Sequence, residues 1–157
     1  MGGYIKCFLY ILRKAQCASN RFSRFFWRIM YRLICESHGM EISRTACIGK
    51  GLYIGHPYNI TINGKATIGE FCNIHKGILI GQENRGKRKG VPVIGNRVWI
   101  GINAAIVGNV HIGDDVLIAP NSYVNCDVPD HSIVFGNPCV IKHKDNATEG
   151  YVNRCDV

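Results

Sequence analysis

"VIGNRVWIGINAAIVGNVHIGDDVLIAPNSYV", Val93 to Val124, carries a branched aliphatic residue at 94, 100, 106, 112, 118 and 124, one every six positions. A period of six fits neither the 3.6 of an α-helix nor the alternation of a simple strand. Repeats of this kind have to be read before any single element is assigned. The spacing predicts a solenoid of short parallel strands. Traced backward, the series continues through Ile80, Ile74, Ile68 and Ile62, then through Ile54, Ile48 and Ile42, with glycine often following, as in "IGKGLY" and "IGEFCN". Two interruptions break it: two extra residues before Ile62 and eight between Ile80 and Ile94. Thirteen hexads make about four to five coils, few enough that end capping and oligomerisation matter.

At 157 residues the chain has room for one domain plus an appendage. Its formal charge of +8 is uneven: residues 1–40 hold seven Lys/Arg against one acid, Glu36, and Arg85 to Lys89 hold four more. Eight cysteines, at 7, 17, 35, 47, 72, 126, 139 and 155, are spread singly, without a C-x-x-C pair or zinc-ligand spacing. They read as reduced, small, buried hydrophobes of a cytoplasmic protein. The apolar run "CFLYIL" is cut by Arg13 and Lys14, too short for a signal or a membrane span.

Residues 1–40 differ in kind from the repeat and are expected to form a basic amphipathic helical segment. In "NRFSRFFWRIMYRLICESHG", Arg21, Arg24, Arg28 and Arg32 form one stripe at helical spacing, and Phe22, Phe25, Phe26, Ile29 and Leu33 form a broad apolar face. The helix is expected to pack that face on the end of the solenoid or on neighbouring subunits. Its alternative is an interfacial helix on anionic lipid, peripheral on the inner face of a membrane, with arginines at headgroup level. Nucleic acid is not favoured, since no binding module accompanies the charge. The segment "QENRGKRKGVPV", residues 82–93, is too polar and glycine-rich to pack and is predicted to project as a functional loop. A C-terminal tail, 141–157, follows the repeat.

From Glu41 to about Val140 the chain resembles the hexapeptide-repeat acyltransferases, closest to serine acetyltransferase and to acetyltransferases of surface-polysaccharide synthesis. The likeness runs through "GLYIGH", "TIGEFCNI", "VPVIGNRVWIG", "IVGNVHIGDDVLIAPNSYV" and "DVPDHSIVFGNP". It implies an all-β, left-handed parallel β-helix over 41–140, a hand opposite to that of ordinary parallel crossovers. It also implies a homotrimer with active sites between subunits and acetyl-CoA as co-substrate, with no metal. By the same resemblance His56 is the general base that takes the acceptor hydroxyl's proton as the oxygen attacks the thioester. An imidazole suits that work near neutral pH. Glu41, fifteen residues upstream and so near the same coil level, stands where the family's orienting aspartate stands.

Three positions depart from the serine enzymes. Their second catalytic histidine, before a proline, is Val91 here; an aspartate preceding the first histidine is Gly55; and an arginine for the serine carboxylate is Gly90. His75 is the candidate substitute for the missing histidine, because it follows Ile74, the third hexad of the second coil as Ile54 is of the first, and adjacent coils at strand spacing bring it near His56. Arg85, Lys87 and Arg88, with Lys89, are candidates for binding an acidic acceptor or a CoA phosphate. The resemblance places CoA along Ile102, Asn103, Ala119 and Pro120, with Lys142 and Lys144 near its phosphates. The acceptor is then L-serine or, alternatively, a sugar hydroxyl of a capsular or exopolysaccharide precursor. A zinc-dependent carbonic anhydrase on the same fold lacks its His-x4-His pair here, and a non-catalytic β-helix leaves His56 and the loop without a purpose.

Overall fold

A computed structural model describes residues 3–153, so Cys155 lies outside the described residues. Two helices, α1 (Gly3–Cys17) and α2 (Arg21–Glu36), precede a left-handed parallel β-helix of about five turns. Its first face stacks β1 (Glu41–Ile42), β4 (Thr61–Ile62), β7 (Leu79–Gly81), β10 (Ala105–Val107) and β13 (Tyr123–Val124). The second face stacks β2 (Cys47–Ile48), β5 (Thr67–Ile68), β8 (Val93–Ile94) and β11 (His111–Ile112). On the third lie β3 (Tyr53–Gly55), β6 (Asn73–His75), β9 (Trp99–Ile100), β12 (Val116–Ile118) and β14 (Ser132–Phe135), closed by the antiparallel β15 (Val140–His143).

The hexad is the width of one face. Ile42 pairs with Ile62, Ile48 with Ile68 and Ile54 with Ile74, so every repeat residue sits over its counterpart. All thirteen are buried. A second inward set two residues earlier, including Leu52, Ile60, Cys72, Ile78, Val98, Val110 and Val116, fills the prism between them. Corners stack with the same discipline. Between the third and first faces Gly39, Asn59, Gly77, Asn103 and Asn121 all take a left-handed φ of 52° to 74°. Each amide above bonds the corner below, as Asn103 N does to Lys76 O at 3.1 Å and Asn121 N to Ile102 O at 2.9 Å. Asparagine and glycine are the residues that tolerate this conformation.

The helices close the open end of the first coil. α1 buries Ile5, Phe8, Ile11, Leu12 and Ala15 in the same core, Arg13 donates to Gly49 O at 2.6 Å, and Gln16 donates to the carbonyls of Arg44 and Ala46, each at 3.1 Å. α2 lies across α1 and anchors through Tyr31, whose hydroxyl donates to Ile42 O at 2.6 Å, and through buried Cys35. Of the packings expected for α2, that of its phenylalanine face on the end of the solenoid is corrected. Phe22, Phe25, Phe26, Ile29 and Leu33 all face outward, Phe22 at 90% exposure, because the opposite side of the helix, with Tyr31 and Cys35, meets the core.

The cysteine reading is corrected as well. Only Cys35 and Cys72 are buried among the described cysteines; Cys7, Cys17 and Cys47 are exposed, and half-buried Cys126 and Cys139 bring their sulfurs to 3.6 Å. Cys47 shows the reason: it sits one residue before inward Ile48, and successive strand side chains point to opposite sides. Burial pushes the Cys72 thiol up to about 11.

The chain beyond β15 returns along the third face. Buried Asp115 accepts from Ala147 N at 3.0 Å, Thr148 N at 3.0 Å, Thr148 Oγ1 at 2.6 Å and His131 Nδ1 at 2.8 Å. His131 thus also fastens the tail. Burial alone raises the Asp115 carboxyl, but the bonds from Thr148, His131 and Ala147 outweigh it and hold the group below the usual carboxylate range.

Two outcomes follow. Phe8→Ala should cost about 3–5 kcal/mol, as a deleted core aromatic does, whereas Phe22→Ala should stay within about 0.5 kcal/mol; urea midpoints of the two variants check this. Since Asp115 is depressed in the folded state, its latch should be complete above the ordinary carboxylate pKa of about 4 and lost as the pH falls through the lowered value. Amide exchange at 147–153 should rise there, and should already be raised at neutral pH in Asp115→Asn.

Candidate active site on the third-to-first corner

The two extra residues before Ile62 are a local device. The corners "HKGILI" and "GINAAI" run from one inward residue to the next in six positions, whereas "GHPYNITI" takes eight from Gly55 to Ile62. The surplus loops outward: His56 adopts φ +56°, and Tyr58 N donates back to His56 O at 2.8 Å across Pro57. Proline's fixed φ suits the centre of so tight a turn. The imidazole is consequently exposed on the prism edge, while Ile54 and Ile60 on either side stay in the core.

The same edge collects most of the other candidates. His75 and Lys76 lie one coil up, Ile102 and Asn103 the next, and Ala119 and Pro120 the next, stacked through the corner amides. Gly101 permits one of these approaches, because a Cβ there would meet Pro120 N at 2.6 Å. Lys142 on β15 pairs with Ile133 and reaches over Phe135, the end of β14 at this edge, with Nζ 5.6 Å from the ring. Backbone groups and a terminal lysine thus form a continuous strip above His56. Lys144 lies away from this edge, at the other end of the third face, its amide bonded to His131 O at 2.8 Å.

His75 is held more firmly than sequence indicates. Its Nδ1 lies 3.0 Å from Ile100 O, so that nitrogen carries the proton and donates, leaving Nε2 a free acceptor. Its ring packs on Trp99 at 4.7 Å, Trp99 packs on Tyr151 of the tail at 5.3 Å, and Tyr151 O accepts from Asn73 at 2.9 Å. A Cβ on Gly55 would stand 2.6 Å from His75 Cδ2 and 2.8 Å from Nε2. The glycine before His56 therefore makes room for the His75 ring, and the two histidines are neighbours. Burial lowers the His75 pKa against the opposing bond to Ile100, with the charge of His56 lowering it further.

Other candidates lie apart from His56. Glu41 is exposed on β1 opposite Thr61 and lines a depression of ≈ 600 Å³ with Arg28, Arg32 and Arg44; no hydrogen bond joins it to His56 among the described residues. The loop 82–93 leaves β7 at the far edge of the first face, so one chain does not bring Arg85, Lys87 or Arg88 to its own His56. Unexpectedly for its composition, the loop is ordered: Glu83 and Gly90 exchange two backbone bonds at 3.0 Å, Glu83 Oε1 accepts from the amides of Asn84 and Arg85, and Asn109 N bonds Arg88 O at 2.8 Å. Sequence reading passed over His38, which stacks on Tyr4 at 3.7 Å and Tyr58 at 4.8 Å directly below the His56 turn. Its only signal was adjacency to the corner glycine. Among the described residues no three His, Cys, Asp or Glu side chains converge as a metal site.

Gly55→Ala should drive the His75 ring off Ile100 O, cost about 1–3 kcal/mol as overpacking does, and shift the imidazole NMR resonances. Gly55→Ala combined with His75→Ala should recover most of that loss.

The bacterial transferase hexapeptide (six repeats) family matches residues 92–126. Serine acetyltransferase of Helicobacter pylori (strain ATCC 700392 / 26695) is 34% identical over 133 residues, covering 85% of this chain and 78% of that protein. Its counterpart in Staphylococcus aureus (strain Mu50 / ATCC 700699) is 37% identical over 112 residues, 71% of this chain and 53% of that one. Among solved structures, the soybean serine acetyltransferase apoenzyme superposes with a TM-score of 0.77 at 26% identity, over 90% of this chain and 58% of that one. The Neisseria gonorrhoeae enzyme in complex with serine gives 0.71 at 28%, over 88% and 55%. The chain thus spans a little over half of each of these solved chains. With the repeat, the coil count and the sequence relatives in agreement, the chain belongs to the serine acetyltransferase family of hexapeptide-repeat acyltransferases.

Proposed function

We propose that the protein transfers the acetyl group of acetyl-CoA to the hydroxyl of a small acceptor, L-serine in the first instance, with His56 as general base. The observation that carries this reading is the outward turn at His56, which projects an exposed imidazole from the prism edge one coil below half-buried His75. His56 takes the hydroxyl proton as the oxygen adds to the thioester carbonyl. Collapse of the tetrahedral intermediate then expels CoA as the thiolate, which leaves with a proton from the imidazolium. CoA lies along Ile102, Asn103, Ala119 and Pro120 with Lys142 toward its phosphates. Glu41, on β1 of the first face one coil below the strand that follows the His56 turn, orients His56 when substrate is bound, in keeping with catalytic hydrogen bonds that tighten only in the complex.

The working unit in this reading is a homotrimer. Its support is topological: the basic loop and His56 lie on opposite edges of the first face, so Arg85, Lys87 and Arg88 reach a His56 only across a subunit boundary. His75 accepts a hydrogen bond from the acceptor through Nε2. A sugar hydroxyl as acceptor is favoured by one specific feature, the neutral His75 ring filling the space beside Gly55, where the resemblance puts an aspartate.

CoA release from acetyl-CoA with L-serine, and separately with sugar nucleotides and oligosaccharides, tests both. Turnover with serine is expected, and turnover with a sugar alone would replace serine by that acceptor. His56→Ala should lower kcat roughly 10²–10⁴-fold with CoA affinity kept, and Glu41→Gln should lose less. An unchanged rate in His56→Ala would remove the histidine from the chemistry.

A further inference from the structure

α2 has two faces, and only one has a partner in the chain. Tyr31 and Cys35 are buried against the first coil and α1. Phe22, Phe25, Phe26, Ile29 and Leu33 follow one another at i, i+3, i+4, i+7 and i+11 and are all exposed, Phe25 at 68%. That is three turns of contiguous large apolar side chains on a helix whose one acid is Glu36. Exposed apolar stripes of this size mark contact with another phase or molecule.

The flanking charge says which. Arg21, Arg24 and Arg28 form a stripe beside the phenylalanines, and with Phe22 and Phe25 they line an open depression of ≈ 520 Å³. None of the three has an acid partner among the described residues, whereas Arg32 is held by Glu36 at 2.6 Å. Guanidinium groups beside a cleft floored by phenyl rings match a phosphate carried on an acyl stem. A second copy of α2 would instead bring two arginine stripes together with no acids to neutralise them. The helix runs 16 residues, and no described helix is long and apolar enough to cross a membrane, so it would lie in the surface and not span it.

We propose that α2 is an interfacial helix that docks the protein on an anionic phospholipid surface, Phe22, Phe25, Phe26, Ile29 and Leu33 entering the acyl boundary and Arg21, Arg24 and Arg28 meeting the phosphates. α1 takes no part in the docking, since its apolar face is spent on the core. The inference is independent of which acceptor the active site uses.

Density-gradient flotation of the full chain tests it, with vesicles of phosphatidylglycerol in phosphatidylcholine and with phosphatidylcholine alone. The chain should float with the anionic vesicles and far less with the neutral ones. Phe25→Ser/Phe26→Ser should reduce vesicle partitioning at least about tenfold, and Arg21→Gln, Arg24→Gln and Arg28→Gln should cost roughly fivefold each at low salt. Acetyl-CoA turnover of these variants without vesicles should match the parent, which separates loss of docking from loss of fold. No flotation, equal flotation on both vesicle types, or flotation unmoved by the phenylalanine pair would overturn the proposal. So would sedimentation showing that the same pair splits a larger assembly of the chain, because a second copy would then own the face.

Discussion

Vertical register is the constraint on which everything else rests. Each inward residue sits over its counterpart one coil away, Ile54 over Ile74 and Ile74 over Ile100, and the backbone ladder between coils holds only if the faces keep equal width. An extra residue cannot be absorbed within a face, because one step along a strand turns every side chain to the opposite side. Additions are therefore forced to the corners and outward. Both interruptions of the repeat obey this rule, and both carry the groups capable of chemistry: the short one raises His56, the long one carries Arg85, Lys87 and Arg88. In a fold that repeats so strictly, a departure from the repeat is the signal for function.

The stacked corners also explain why backbone dominates the rest of the site. With Asn59, Gly77, Asn103 and Asn121 in one conformation, the edge presents similar carbonyl and amide geometry at each level. An extended ligand can run along such an edge while side-chain identity there stays free. His75 is the exception. It is fixed from behind by Ile100 O, from the side by Trp99, and at one remove by the tail through Tyr151 and Asn73. The tail is fastened in turn by Asp115, at a corner one face away. A contiguous run of contacts therefore joins a buried carboxylate to the histidine beside the proposed base.

Much of this was legible in the sequence, and the boundary of legibility has physical causes. Ile42 through Val124 announced the β-helix because a period of six has few other structural meanings. His56 stood out because an imidazole and a proline interrupted that period. That Gly55 makes room for the His75 ring was not legible, since it depends on which way that ring turns on the neighbouring coil. Nor was the order of the loop: a run such as "NRGKRKG" reads as solvated charge, and the carboxylate of Glu83 that folds it looks like any other acid. Within the helical segment 1–40, α1 was not told apart from α2 for a related reason. Its apolar positions Ile5, Phe8, Ile11, Leu12 and Ala15 are interleaved with Tyr4, Leu9 and Tyr10, which blurs the helical stripe.

The two helices show how similar compositions take different fates. An open β-helix end exposes the inward residues of its first coil, and one amphipathic helix is enough to cover them. α1 does so, with Phe8 and Leu12 fully buried and Arg13 and Gln16 satisfying the carbonyls of Gly49, Arg44 and Ala46. Once that end is sealed, α2 has no second core to enter. It needs only Tyr31, Cys35 and partial contacts of Trp27, Met30 and Ile34 to stay attached. Those residues lie nearly opposite the Phe22–Leu33 stripe on the helix, so attaching α2 leaves that stripe outward. Five large apolar side chains in water gain nothing for the folded monomer. Their placement beside three unneutralised arginines is the feature on which the proposed docking to an apolar, anionic surface rests.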